Sequence, residues 1–82
     1  MYLMTIAFVL INSKLGKGEE VIENLKHIDS VKEVSGTFGA YDVVAKVEND
    51  KKDDLRNVIT CGIRKMDNVR STLTLMEAKT PN

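Results

Sequence analysis

The sequence has few of the residues that cross-link a small domain. Its 82 residues include one cysteine (Cys61), one histidine (His27) and one proline. One cysteine cannot close an internal disulfide, and one histidine without further thiols supplies no metal-ligand set. A domain of this length buries only about 60–65% of its unfolded surface, and disulfides, metals or oligomerisation usually compensate. The composition therefore predicts an oligomer with no metal and no other cofactor.

Charge of one sign, aromatic residues and long apolar runs are also lacking. Twelve basic and twelve acidic side chains cancel, and there are two tyrosines, two phenylalanines and no tryptophan. Such a surface offers neither attraction to phosphate backbones nor a stacking platform for bases. The longest apolar run, residues 6–11, is far shorter than the roughly 20 residues that a membrane helix needs. No signal-peptide pattern opens the chain, so we expect a cytoplasmic protein, which the free Cys61 also favours.

The pattern of apolar residues predicts one domain over residues 1–82. Strands are indicated by β-branched and alternating apolar residues, and helices by apolar residues at the i, i+3, i+4 and i+7 spacing. The predicted elements are strand 2–11, helix 19–28, strand 31–38, strand 41–47, helix 53–66 and strand 69–76. A tight turn at Gly39-Ala40 joins the two middle strands as a hairpin. This β-α-β-β-α-β order predicts a ferredoxin-like α+β sandwich with both helices on one face of an antiparallel sheet.

The first predicted strand indicates whether the sheet face opposite the helices is covered. A sheet covered on one side normally alternates apolar and polar residues, whereas residues 6–10 are all apolar. With no third helix available, the sheet of a second subunit is the simplest cover, which predicts a dimeric α+β barrel. The alternative is a central strand that exposes a few apolar groups, which is common in monomers.

The middle hairpin carries a resemblance to a known family. The sequence has Gly39-Ala40-Tyr41-Asp42 after the first strand of the hairpin, then the apolar stretch VVAKV, and then the acidic turn Glu48-Asn49-Asp50. Downstream, Asp67-Asn68-Val69 and a threonine-rich strand follow the second helix. This arrangement resembles the ligand-binding domain of the Lrp/AsnC family, also called the RAM domain, over almost the whole chain. At Asn68 the sequence departs from the glycine that the family often has there.

The resemblance implies an assembly and a site. Lrp/AsnC domains pair their sheets face to face as homodimers, often assemble as octamers of four dimers, and bind a free amino acid between dimers near the glycine–aromatic–aspartate loop. The ligand-binding candidates carried over are Gly39, Tyr41 and Asp42, with Thr37, Thr72 and Thr74 as weaker ones. Family members usually carry an N-terminal helix-turn-helix. Since this chain begins at the first strand, we expect a stand-alone form without direct DNA binding, which co-assembles with full-length Lrp/AsnC regulators.

The chemistry of the loop agrees with that role. A free amino acid needs an acceptor for its ammonium and donors for its carboxylate. Asp42 can accept from the ammonium, and backbone N–H groups near Gly39 can hold the carboxylate. Each residue also has a structural interpretation: Gly39 as a turn residue, Asp42 as a turn cap, Tyr41 as a packing residue, and the threonines as good β formers.

Three functions remain open from the sequence. The first is an amino-acid-sensing regulatory domain of the Lrp/AsnC type. The second is a small dimeric α+β barrel enzyme, although His27 and Cys61 are predicted on helices and no paired carboxylates or nucleophile–base set is present. The third is an ACT-like amino-acid-binding domain, in which Gly16 and Gly18 of the first loop would carry the ligand. We predict a regulatory domain and not an enzyme.

Overall fold

A computed structural model describes residues 4–77. It contains one four-stranded antiparallel sheet with strand order β2-β3-β1-β4. The elements are β1 (Thr5–Ser13), α1 (Gly18–Leu25), β2 (Val31–Gly36), β3 (Val43–Asn49), α2 (Lys52–Asn57), a π-helical turn (Val58–Gly62), a 3-10 turn (Ile63–Lys65) and β4 (Val69–Met76). The predicted β-α-β-β-α-β order and the ferredoxin-like α+β fold are confirmed.

The core lies between one face of the sheet and the two helical segments. Alternate residues of the two central strands point into it because successive strand side chains face opposite sides. Cross-strand partners such as Val9 and Ala45 are both fully buried. The helical segments contribute residues one turn apart. The buried helical residues are Val21, Leu25, Leu55, Ile59 and Ile63. No helix within residues 4–77 is long and apolar enough to cross a membrane.

The ends of β1 and α1 differ from the prediction. β1 continues to Ser13, which was predicted to lie in a loop, because Asn12 and Ser13 pair with Ser71 and Val69 of β4. The first predicted strand residues, 2 and 3, lie outside the described residues. α1 ends at Leu25 and not at Ile28, since the Ile28 N–H bonds to the carbonyl of Leu25, three residues back. Ile28 still packs against the core.

The predicted tight turn at Gly39-Ala40 is wrong. β2 ends at Gly36 and β3 begins at Val43, so residues 37–42 form a longer loop. This loop is closed by its own hydrogen bonds. The Thr37 N–H donates to the carbonyl of Asp42 at 2.8 Å, and the Thr37 hydroxyl donates to the carbonyl of Tyr41 at 2.7 Å.

The second helix is not continuous. Leu55, Ile59 and Ile63 face the core as predicted, but the α-helix gives way to a π-helical turn at Val58. The hydroxyl of Thr60 donates to the carbonyl of Arg56 at 2.8 Å and competes with the regular backbone bond there. β-Branched residues such as Val58 and Ile59 also lower the helix propensity of this stretch.

Candidate functional site

Asp42 joins the loop 37–42 to β1 and α1. Its carboxylate accepts hydrogen bonds from the Ser13 backbone N–H at 2.9 Å and from the Ser13 hydroxyl, and Ser13 is buried. The Asp42 N–H donates to the carbonyl of Ile11 at 3.0 Å. α1 begins against the same carboxylate, because a Cβ added at Gly18 would lie 3.2 Å from Asp42 Oδ2. Asp42 therefore connects three elements within one subunit.

The charge of Asp42 depends on this junction. Burial opposes ionisation and raises the pKa of the Asp42 carboxyl, but the hydrogen bonds from the Ser13 hydroxyl and backbone N–H lower it by more. The net result is a pKa below the ordinary aspartate value. Asp42 is therefore a carboxylate at neutral pH, and it already has a partner in its own subunit.

The rest of the loop faces solvent. Phe38 is fully exposed, Gly39 and Ala40 are exposed, and Tyr41 is half-buried. Gly39 has a φ of +128°, a conformation that residues with a Cβ rarely adopt. A Cβ at Gly39 would meet no atom within 4 Å, so the requirement for glycine comes from the backbone and not from crowding.

We expect Gly39→Ala to destabilise the domain by about 1–3 kcal/mol, because alanine would be strained at this backbone angle. Gly62→Ala is the matched control. Gly62 has a φ of −98° and open space around its Cβ position, so alanine there should be neutral or slightly stabilising. Urea unfolding of the two variants tests the difference. Equal stability of both variants would contradict the backbone requirement at Gly39.

The two threonines of β4 point to the helix-covered side of the sheet but lie in different places. Thr72 lies opposite Ile11 and borders a cavity of about 200 Å³ with Arg64 and Arg70. Thr74 lies opposite Val9 and borders a cavity of about 400 Å³ next to the second helical segment. We call this second space the β4 cavity.

The structure does not bring all the predicted site residues together in one subunit. Thr37, Tyr41 and Asp42 meet in the loop, and Asp42 contacts the end of β1 at Ser13. Thr74 lies opposite Val9, four residues earlier on β1, which corresponds to about 13 Å along a strand. Thr74 is therefore remote from the loop within the chain.

The β4 cavity combines charge, hydroxyl groups and an apolar surface. Its lining residues are Lys52, Arg56, Ile59, Thr60, Thr74 and Met76. The Thr60 hydroxyl donates to the Arg56 carbonyl, and its oxygen lies 3.9 Å from Cys61 Sγ; with two lone pairs, the oxygen can still accept from a ligand. Among residues 4–77, the ion pairs involve other cations, and neither Lys52 nor Arg56 is paired with a carboxylate.

Of these residues, sequence reasoning placed only Thr74 in a site, and it missed the three other polar ones. Lys52, Arg56 and Thr60 recur every four residues, which is the spacing of neighbours on one side of a helix. The predicted helix began at Asp53 and therefore left Lys52 out. The spacing alone could have placed the cations on one face, but not beside Thr74, since that contact depends on how the helix packs on the sheet.

The sheet face opposite the helices is apolar over β1 and β4. Phe8 pairs with Leu75, and Leu10 pairs with Leu73. Phe8, Leu73 and Leu75 are 38%, 45% and 50% exposed. On the β3 side, Lys46 lies within 4 Å of Glu33 and Glu48 and gives the patch a charged border. We call the apolar part the outer face, defined by Phe8, Leu10, Leu73 and Leu75.

The fold and these surfaces define a small α+β ligand-binding domain. Within residues 4–77 no group of three metal-ligating side chains is present. The family model of the Lrp/AsnC ligand binding domain matches residues 6–82, so the chain belongs to this family. The prediction of a regulatory domain and not an enzyme is confirmed by this membership, which also favours the Lrp/AsnC interpretation over the ACT-like one.

Similar proteins include transcriptional regulators. The HTH-type transcriptional regulator FL11 of Pyrococcus horikoshii is 35% identical over 75 residues, which cover 92% of this chain and 49% of FL11. The crystal structure of FFRP-DM1 superposes on this chain with a TM-score of 0.87, and the two sequences are 39% identical. The match covers 90% of this chain and 99% of FFRP-DM1. Escherichia coli AsnC is 28% identical with a TM-score of 0.84, covering 99% of this chain and 54% of AsnC. The chain spans about half the length of the curated relatives.

Proposed function

We propose that this chain is an amino-acid-sensing domain of a transcriptional regulatory system and that it works as a homo-oligomer. The observation that carries the proposal is the β4 cavity, in which positive charge, hydroxyl groups and an apolar surface lie together. Membership of a ligand-binding family supports the same function. A cytoplasmic location, expected for a transcriptional regulator, is part of the proposal.

The groups around the cavity match those of a free amino acid. Arg56 or Lys52 can donate charge-assisted hydrogen bonds to the α-carboxylate. The Thr60 oxygen can accept from the ammonium because its proton is directed to the Arg56 carbonyl. Thr74 can serve either group, and Ile59 and Met76 offer contact to the aliphatic part of the ligand. The volume of about 400 Å³ is in the range of small-molecule sites.

A second subunit completes the proposed assembly. The outer face exposes large apolar side chains on two neighbouring strands, and a copy of the same face would cover them as a homodimer. Dimers would then assemble further, up to an octamer of four dimers. The loop of one dimer, with Thr37, Gly39, Tyr41 and Asp42, would approach the threonine strand of the next. In that arrangement Asp42 positions the loop through Ser13, and its contact with the ligand ammonium stays a prediction.

The regulatory output requires a partner. The chain has no net charge at pH 7, so it offers no general attraction to DNA. We therefore propose that it acts by co-assembling with full-length Lrp/AsnC regulators. Ligand binding would change that assembly and so change transcription indirectly.

A thermal-shift screen against the twenty amino acids tests the proposal. A ligand at about 100 times its dissociation constant stabilises the bound state by roughly 2.7 kcal/mol, which gives a clear shift in a domain of this size. Light scattering in the same buffers shows whether the assembly changes. We expect a small subset of amino acids to raise the melting temperature and to change the mass of the assembly.

Hydroxyl removal locates the site. Thr74→Val keeps the shape of the side chain and removes the oxygen that borders the cavity. The ligand should therefore raise the melting temperature of this variant by less than that of the wild type. Thr5→Val is the matched control, because Thr5 lies on β1 and does not border the cavity. A folded oligomer that responds to none of the twenty amino acids would contradict the proposed function.

A further inference from the structure

We propose that the amino acid bound in the β4 cavity is an acidic one, with a second carboxylate on its side chain. This inference rests on the proposed function, since it concerns the ligand class of the same site. It follows from the charge of the lining, which among residues 4–77 has two cations and no carboxylate.

The two cations are neighbours on α2. Lys52 and Arg56 are spaced i, i+4, so their side chains lie on the same side of the helix, and both border the cavity. Like charges at this spacing repel each other and destabilise a helix. Lys52 and Arg56 are exposed, as are the acidic residues Asp53 and Asp54 of the same helix, but of these four only the two cations border the cavity. An anionic ligand in the cavity would contact the cations and offset their repulsion.

One carboxylate does not neutralise the two positive charges of this site. A neutral amino acid would place its α-carboxylate on one cation and bring its ammonium into a space where the second cation repels it. A basic amino acid would add a further positive charge. A side-chain carboxylate removes the conflict, because each cation then receives an anion and the ammonium lies beside the Thr60 oxygen. The planar guanidinium of Arg56 suits two-point contact, and Lys52 acts as a compact charge.

The rest of the lining fits a short dicarboxylic chain. Ile59 and Met76 form the apolar part of the cavity, and they can contact the methylene groups between the two carboxylates. Thr74 lies on the strand side and faces the helix that carries the cations. A long apolar side chain would place its end against Lys52 or Arg56 and cost desolvation of that charge.

Isothermal titration with matched ligand pairs tests the inference. L-glutamate and L-aspartate are compared with L-glutamine and L-asparagine, which have the same shape without the second charge. We expect the acidic members to bind about tenfold tighter or more at moderate salt. Arg56→Gln and Lys52→Gln should each reduce that preference strongly.

The chain provides controls of the same chemistry. Lys51→Gln removes an exposed cation next to Lys52, and Arg64→Gln removes one that borders the smaller cavity. Both should keep the preference for acidic ligands, and circular dichroism should show all four variants folded. A neutral amino acid that binds tighter than its acidic counterpart would overturn this inference and leave the proposed function intact. The absence of binding for all amino acids would overturn the proposed function itself.

Discussion

Leu73→Lys should convert the proposed homodimer to monomers at micromolar concentration. Leu73 lies on β4 at the outer face, is 45% exposed in the single subunit and pairs with Leu10. In a two-fold dimer each substitution occurs twice, so two apolar contacts are lost and two ammonium groups enter the interface. Losing the burial of two leucines at about 1.5 kcal/mol each weakens dimerisation by roughly two orders of magnitude, before any desolvation cost of the lysines.

Sedimentation equilibrium or light scattering measures this effect over a range of concentrations. Leu15→Lys is the control, because Leu15 is 98% exposed on the loop between β1 and α1 and is not part of the outer face. This variant should remain at least dimeric. Circular dichroism of the same samples separates a folded monomer from an unfolded chain. A Leu73→Lys protein with the mass of the wild type would mean that the outer face is not the dimer interface.

Much of the fold could be predicted from the sequence because each element has its own period. Val43, Ala45 and Val47 alternate along β3 and are all buried, as the strand pattern predicts. Leu55, Ile59 and Ile63 recur every four residues and form the inner side of the second helical segment. The topology then follows, since few arrangements can bury two helical stripes and four strands in one domain.

The structure differs from the prediction where local hydrogen bonds interrupt a regular strand or helix. Thr37 and Thr60 were each assigned to regular elements, yet both hydroxyls bond to nearby backbone carbonyls. One of these bonds closes the loop 37–42, and the other accompanies the π-helical turn. Threonine is common in regular strands and also makes such local bonds, so its type alone did not separate the two outcomes.

The candidate site was predicted in part. The residues of the loop, including Asp42, were predicted through the resemblance to the Lrp/AsnC domain, but their partners were not. Ser13 lies far from Asp42 in sequence, and no periodicity indicates that contact. The same reason explains why Lys52 and Arg56 were missed. Their meeting with Thr74 depends on the packing of a helix against an edge strand, which residue patterns do not specify.

Asp42→Asn should destabilise the domain by about 1.5–3 kcal/mol near neutral pH, the usual value of hydrogen bonds to a charged group. The carboxylate accepts from both the backbone N–H and the hydroxyl of buried Ser13. An amide of the same shape can accept the Ser13 N–H with its oxygen and donate its NH₂ to a rotated Ser13 hydroxyl, but neither bond then has the charge of the carboxylate. Since this junction holds loop 37–42, β1 and α1 together, the substitution should also loosen the loop.

The pH dependence provides the decisive test of this junction. The pKa of Asp42 is lowered in the folded state, so its contribution is fully present above the ordinary aspartate pKa and is lost as pH falls through the folded-state pKa. Urea unfolding of the wild type and Asp42→Asn, measured near pH 7 and at about pH 3, should therefore show a stability difference that shrinks in acid. Asp29→Asn is the control, because Asp29 is exposed and accepts through its backbone carbonyl only. A difference between wild type and Asp42→Asn that stays constant with pH would show that the ionised carboxylate does not hold the junction.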